Sequence, residues 1–249
     1  MAYRVKDFEA YLKRDCFSIF DDFFHYVTAD DFTTVAGDSG TVAASDAAGG
    51  VLVITASDAT EGDNDQTYAK GTQEVFKFAT DKPLFFAAKI KPWANTIASI
   101  NPIVGLKDAV AADSMQDNGD GPAASYSGCI FMGVDGTNYW QCESSISTTQ
   151  TTVNTGKAIG NNAYDILVIE TIPISSTETE VHFFFGNEET GGDVSLVEVG
   201  KETVNERLVA QTITHTDATE MQICLGVKDG AANNGAKLYV DWVYAAQKR

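Results

Sequence analysis

From about residue 23 to the end, the chain repeats one pattern: a short run rich in Val, Ile, Thr, Phe and Tyr, then a cluster of Gly, Asn, Asp or Ser. Such runs read as strands and such clusters as turns. The expected strands are 51–55, 73–78, 84–91, 102–107, 127–134, 137–143, 164–172, 180–186, 194–199, 219–227 and 236–245, joined by clusters such as 61–65 (EGDND), 117–121 (DNGDG) and 229–235 (DGAANNG). Many short strands without intervening helices must bury their apolar faces against one another, which leaves an all-β sandwich or barrel of antiparallel strands.

Helical spacing is confined to the start. Over residues 3–14, Val5, Phe8 and Leu12 recur at helical intervals, with Arg4, Lys6, Lys13 and Arg14 on other faces. Residues 1–22 are therefore expected to form a short helical arm and residues 23–249 a β-sandwich domain. The arm is basic although the chain as a whole has 17 Lys and Arg against 35 Asp and Glu, a formal charge of −18. Two readings are open for it, packing on its own domain or docking on a neighbouring subunit.

Strong acidity argues against nucleic acid as a partner, because phosphate backbones are held by Lys and Arg. No stretch nears the roughly 18 apolar residues of a membrane span, so no membrane partner is expected. The charged start, MAYRVKDFEAYLKRDCF, does not read as a secretory signal.

Asp135-Gly136 between two apolar runs reads as a two-residue type I′ hairpin turn. That register sets Phe131 opposite Trp140 and Cys129 opposite Cys142, close enough for a disulfide, although a reducing compartment favours free thiols. In the last strand Leu238, Val240, Trp242 and Tyr244 are expected to face the core, with Tyr239, Asp241 and Val243 opposite.

The strand pair YDILVIE…EVHFFFG and the closing strand KLYVDWVYAAQ resemble the concanavalin A-like (laminin-G/glucanase) jelly roll over about 25–249. The resemblance implies a sandwich of two antiparallel sheets. A jelly roll preceded by a short helix and rich in Ala, Thr, Gly and Asp is also similar to virion proteins of tailed bacteriophages, especially capsid-decorating or head-associated ones.

Catalytic motifs are missing. Retaining glycosidases need two carboxylates about 5 Å apart, which this fold class supplies as E-x-D-x-x-E. The chain has no such motif, and Glu178, Glu180, Glu188 and Glu189 read as solvated turn charges. There is no G-x-S-x-G, P-loop or dinucleotide fingerprint, and His25, His182 and His215 stand in unrelated contexts. No enzyme and no cofactor are expected. Calcium is the one ligand to weigh, at the oxygen-rich loops Asp58, Glu61, Asp63, Asn64, Asp65 and Asp113, Asp117, Asn118, Asp120, although neither has EF-hand spacing. Tyr126, Tyr139 and Trp140 are candidates for stacking on a sugar, although Trp140, set opposite Phe131, reads more simply as core packing.

The expectation is a non-enzymatic structural virion protein that decorates or stabilises a phage capsid. Its partners would be the major capsid protein and further copies of itself, with assembly in the host cytoplasm. Val5, Phe8, Leu12, Phe17 and Phe20 would make the capsid or subunit contact. The alternative is a calcium-assisted, lectin-like carbohydrate-binding module for host-surface recognition.

Overall fold

The computed structural model describes residues 15–249 apart from 28, 46–48, 59, 189–192, 205–206 and 216–218. The strands are β1 (Cys16–Asp21), β2 (Phe32–Ala36), β3 (Ser39–Ser45), β4 (Val51–Ser57), β5 (Gln66–Gly71), β6 (Leu84–Trp93), β7 (Ile100–Lys107), β8 (Gly128–Met132) and β9 (Tyr139–Ile146). They continue with β10 (Thr149–Ala158), β11 (Asp165–Pro173), β12 (Glu178–Glu188), β13 (Val194–Val199), β14 (Glu202–Val204), β15 (Arg207–Val209), β16 (Gln211–Thr214), β17 (Gln222–Asp229) and β18 (Lys237–Lys248). Two 3₁₀ turns lie at Ile97–Ser99 and Asp117–Gly119.

Among the described residues the strands form two large antiparallel sheets and a small β14–β15 ribbon. The nine-stranded sheet runs β13-β12-β11-β6-β18-β4-β3, with β1 added on β18 and β16 on β12. The seven-stranded sheet runs β10-β9-β8-β7-β17-β5-β2. Facing rows from the two sheets fill the space between them: Leu52, Phe86, Ile90, Leu238 and Val240 from one, Val104, Phe131, Trp140, Ile223 and Leu225 from the other. Trp140 also ties the layers by donating its indole N–H to Asp165 Oδ2 at 3.0 Å. The all-β architecture expected from the strand pattern is present, as are the two antiparallel sheets of a jelly-roll sandwich that the resemblance implied.

Several expectations change. Of the arm, residues 1–14, with Val5, Phe8 and Leu12, lie outside the described residues. Its remaining part is strand, not helix: β1 pairs with β18 from Cys16↔Lys248 to Asp21↔Val243. Period-two alternation explains it, because Phe17 and Ile19 turn inward to pack on the core while Phe20 stays 62% exposed.

The β8–β9 hairpin has a longer loop than expected and its register is shifted by two, so Phe131 faces Cys142 and Cys129 faces Ser144. A type I′ turn needs positive φ at both central residues. Here only Gly136 has it (φ 80°), and Thr137 N–H closes the turn on Val134 O at 3.0 Å. All four cysteines are free, and burial raises the thiol pKa values of Cys129, Cys142 and Cys224.

In β18 the register against β6 slips between Val240 and Trp242, which makes Asp241 a bulge residue. The extra residue reverses the phase of the strand's second half. Leu238, Val240, Val243 and Ala245 are core, while Trp242 and Tyr244 face outward. Residues 73–78 form no strand beyond a bridge from Phe76 to Met221; their place in the seven-stranded sheet is taken by β5, whose sequence QTYAKG gives little strand signal.

Candidate functional site

The two sheets present two outer faces of opposite character. On the seven-stranded sheet the outward positions of adjacent strands carry Gln66, Tyr68, Lys107, Glu143, Gln222 and Lys228, every one buried. Such side chains are hidden only when they are paired. The cover is the loop from Asp108 to Ser127, which lays Val110, Met115 and Tyr126 over the sheet beside Ile103, Ile130 and Met132.

Each of these buried polar side chains finds a partner in this strap or on a neighbouring segment, Gln222 through its Nε2 alone, since its Oε1 has none. The Lys228 ammonium, with no exposed side-chain surface, binds the carboxylates of Asp113 and Asp117 and the carbonyl of Met115. Gln66 Nε2 donates to Asp113 Oδ1 at 2.8 Å and, with Lys228, holds that carboxyl below the usual carboxylate range. Tyr68 O–H donates to Gln66 Oε1 and accepts from Met115 N–H at 3.1 Å. Its ring fits flat on the sheet because residue 226 is glycine; a Cβ there would lie 2.0 Å from the ring. Glu143 accepts hydroxyl hydrogen bonds from Tyr126 (2.7 Å) and Thr152. Lys107 donates to the Ala109 carbonyl and sits 4.9 Å from the Tyr126 ring centre, and burial pulls its pKa down.

The nine-stranded sheet leaves the corresponding region open. Along β6 Lys89, Lys91 and Trp93 point outward between the buried Ala88, Ile90 and Pro92. β18 sets Tyr239 opposite Lys91 and Lys237 opposite Trp93. On the other flank Tyr164 precedes the Asp165↔Ile90 pair, which aligns it with Lys91. Lys91 Nζ thus lies 5.2 Å from the Tyr164 ring centre and 4.5 Å from that of Tyr239, while Lys237 lies 5.3 Å from Trp93. Lys89 bonds Glu188 at 2.7 Å and Asp241 at 3.1 Å.

Beside Tyr164, which is 42% exposed, opens a pocket of about 240 Å³ lined by Lys89, Lys157, Asp165, Asn187 and Glu188. Burial raises the pKa of Asp165 despite the Trp140 hydrogen bond. An exposed aromatic face ringed by amide, ammonium and carboxylate groups offers what a sugar needs, an apolar platform with polar groups that fix orientation.

The residues singled out by sequence are distributed differently. Trp140 is core, as its preferred reading had it, Tyr126 is also buried and cannot stack on a ligand, and Tyr139 is 42% exposed. Of the two acidic loops, the second gives Asp113 and Asp117 to Lys228. The first brings Glu61 and Asp65 near Asp229, a wholly buried acid of β17. Asp229 Oδ1 accepts Ala236 N–H at 2.9 Å and Oδ2 lacks a hydrogen-bond partner. Burial, with the Asp65 and Glu61 charges, pushes its pKa up to about 7. Among the described residues no group of three or more His, Cys, Asp or Glu is placed to hold a metal ion. His182 stands outward on β12 between Glu198 (2.8 Å) and Glu180 (3.4 Å).

Sequence reasoning passed over Tyr164, Lys91, Lys237 and the buried lysines. Alternation along β6 and the closing strand could have shown that Lys91, Trp93, Lys237 and Tyr239 share a face.

The architecture is the concanavalin A-like lectin and glucanase jelly roll. An endo-1,3-β-glucanase from Streptomyces sioyaensis superposes with a TM-score of 0.58 at 15% identity, over 95% of this chain and 98% of that one. A fungal endo-β-1,4-glucuronan lyase from Trichoderma reesei (TM-score 0.55, 11% identity, 91% and 94% covered) and peanut lectin (0.54, 9%, 93% and 97%) share the fold. No protein-family model matches the chain, and no curated protein matches its sequence. Nothing in these likenesses links the chain to bacteriophage virion proteins.

Proposed function

We propose that the protein is a carbohydrate-binding module that uses the outer face of its nine-stranded sheet. The observation that carries this reading is the half-exposed Tyr164 ring at the mouth of a polar pocket, in line with Tyr239 on the same face. The fold supports the ligand class, since similar structures are named as a lectin, a glucanase and a glucuronan lyase.

The reading is one of binding without hydrolysis. Glycoside hydrolysis uses two carboxyl groups facing one cleft. In the pocket beside Tyr164 the two carboxyl groups are engaged, Asp165 by the Trp140 indole N–H and Glu188 by Lys89, and Glu143, on the face closed by the 108–127 strap, has the Tyr126 and Thr152 hydroxyls as its partners. The second acidic loop is not a calcium site in this reading, because its Asp113 and Asp117 are bonded to Lys228. Of the expected capsid-contact residues in the arm's described portion, Phe17 packs on the core and Phe20 is exposed.

A panel of soluble polysaccharides tested by affinity electrophoresis, then by calorimetry, examines the reading. At least one glycan should bind, and Tyr164→Ala should weaken it tenfold or more. Failure of every glycan to bind, or binding indifferent to Tyr164→Ala, would sink it.

A further inference from the structure

The chain is poor in cations, with 17 Lys and Arg against 35 Asp and Glu, yet Lys89, Lys91, Lys157 and Lys237 gather on and around one open sheet face. Lys89 is neutralised by Glu188 and Asp241. The other three have no carboxylate within ion-pair distance among the described residues. Their ammonium groups lie over rings instead: Lys91 between Tyr164 and Tyr239, Lys237 over Trp93, and Lys157 5.4 Å from the Phe185 ring centre.

A cation held over an aromatic ring at a partly exposed site gains only about 0.5–1 kcal/mol, so an approaching anion can draw it away at little cost. The vacated ring face is then free to stack. One ligand uses both halves of this arrangement, a sugar ring that carries a negative group. Building on the glycan-binding reading, we infer that the ligand is an anionic polysaccharide, its carboxylate or sulfate groups taken by Lys91, Lys237 and Lys157 and its sugar rings by Tyr164, Tyr239 and Trp93. Lys91 and Trp93 lie about 7 Å apart along β6, and Tyr164 and Tyr239 are separated by two strand spacings, about 9.5 Å. That is an extended patch, suited to successive units of a polymer. The acidity of the rest of the body does not forbid it, because exposed charges are screened beyond about 8 Å at physiological ionic strength.

The full chain should be titrated with polygalacturonate, a sulfated galactan, the neutral glucan laminarin and polyglutamate, at two salt concentrations. Anionic glycans should bind at least tenfold tighter than laminarin, and tighter than polyglutamate, with affinity falling as salt rises. Lys91→Gln and Lys237→Gln should each weaken them three- to tenfold, while Lys70→Gln on the other sheet should not; the carboxylate and sulfate arms identify the preferred group. Laminarin binding as tightly, insensitive to salt and to both substitutions but lost in Tyr164→Ala, would overturn the anionic inference and leave the glycan-binding reading standing. Polyglutamate binding as well as the glycans, unaffected by Tyr164→Ala, would overturn both.

Discussion

The two outer faces of this sandwich place the same kinds of side chain, lysine, tyrosine and carboxylate, at outward positions, and only one lets solvent reach them. On the seven-stranded sheet Lys228 and Lys107 are sealed beneath the 108–127 strap and bonded to carboxylates and carbonyls. On the nine-stranded sheet Lys91 and Lys237 lie half-buried on aromatic rings. The lesson is one of solvation. A buried ammonium must be paired and so becomes structural, whereas an exposed one keeps its bonding capacity for a ligand.

The largest effect should come from Lys228→Met. It leaves the buried Met115 carbonyl without its donor and removes charge-assisted hydrogen bonds, each worth about 1.5–3 kcal/mol, to Asp113 and Asp117, whose side chains are more than half exposed and regain water. Urea unfolding should show a matching fall in midpoint; a change below about 1 kcal/mol would mean that apolar packing alone holds the strap.

Asp229 should come next, at the junction of the β4–β5 and β17–β18 loops. Its folded pKa of about 7 lies above the ordinary 3.8. As pH rises through that interval the unfolded chain gives up this proton and the folded chain keeps it. Asp229 therefore lowers stability progressively from about pH 4 to 7, and the loss is complete above 7, by an amount of the order of 2–4 kcal/mol. Asp229→Asn keeps the acceptor for Ala236 N–H and removes the charge. Thermal melts of the variant should be higher than wild type at pH 8 and converge with it near pH 4; equal melting at pH 8 would refute the assignment.

On the open face the effect on stability should be smallest. Lys91→Gln and Lys237→Gln should each change unfolding free energy by no more than about 0.5–1 kcal/mol, the size of a surface cation–π contact. A larger loss would show that these lysines are structural, as their counterparts on the sealed face are.

Much of the fold was legible in the sequence because apolar alternation and turn clusters are local signals. β4, β6, β11, β12 and β17 coincide closely with the expected runs. Among the strands that escaped, β5, β10 and β3 are polar or Ala- and Thr-rich, so no alternation announces them. The bulge at Asp241 could not be read either, since it is defined by the register against β6 and not by the residues themselves. The candidate site was less legible. Tyr126, chosen for its chemistry, is buried, and Tyr164 escaped notice because a strand start looks like any loop end.

The sequence by itself determined the class, an acidic all-β sandwich, because strand periodicity and charge are properties of neighbours along the chain. Which lysines are exposed, which half of β18 faces the core and which outer face is roofed were decided only in the tertiary structure. Each depends on a contact between segments distant in sequence: Asp113 and Asp117 reaching Lys228, β6 setting the register of β18, and Tyr164 arriving beside Lys91.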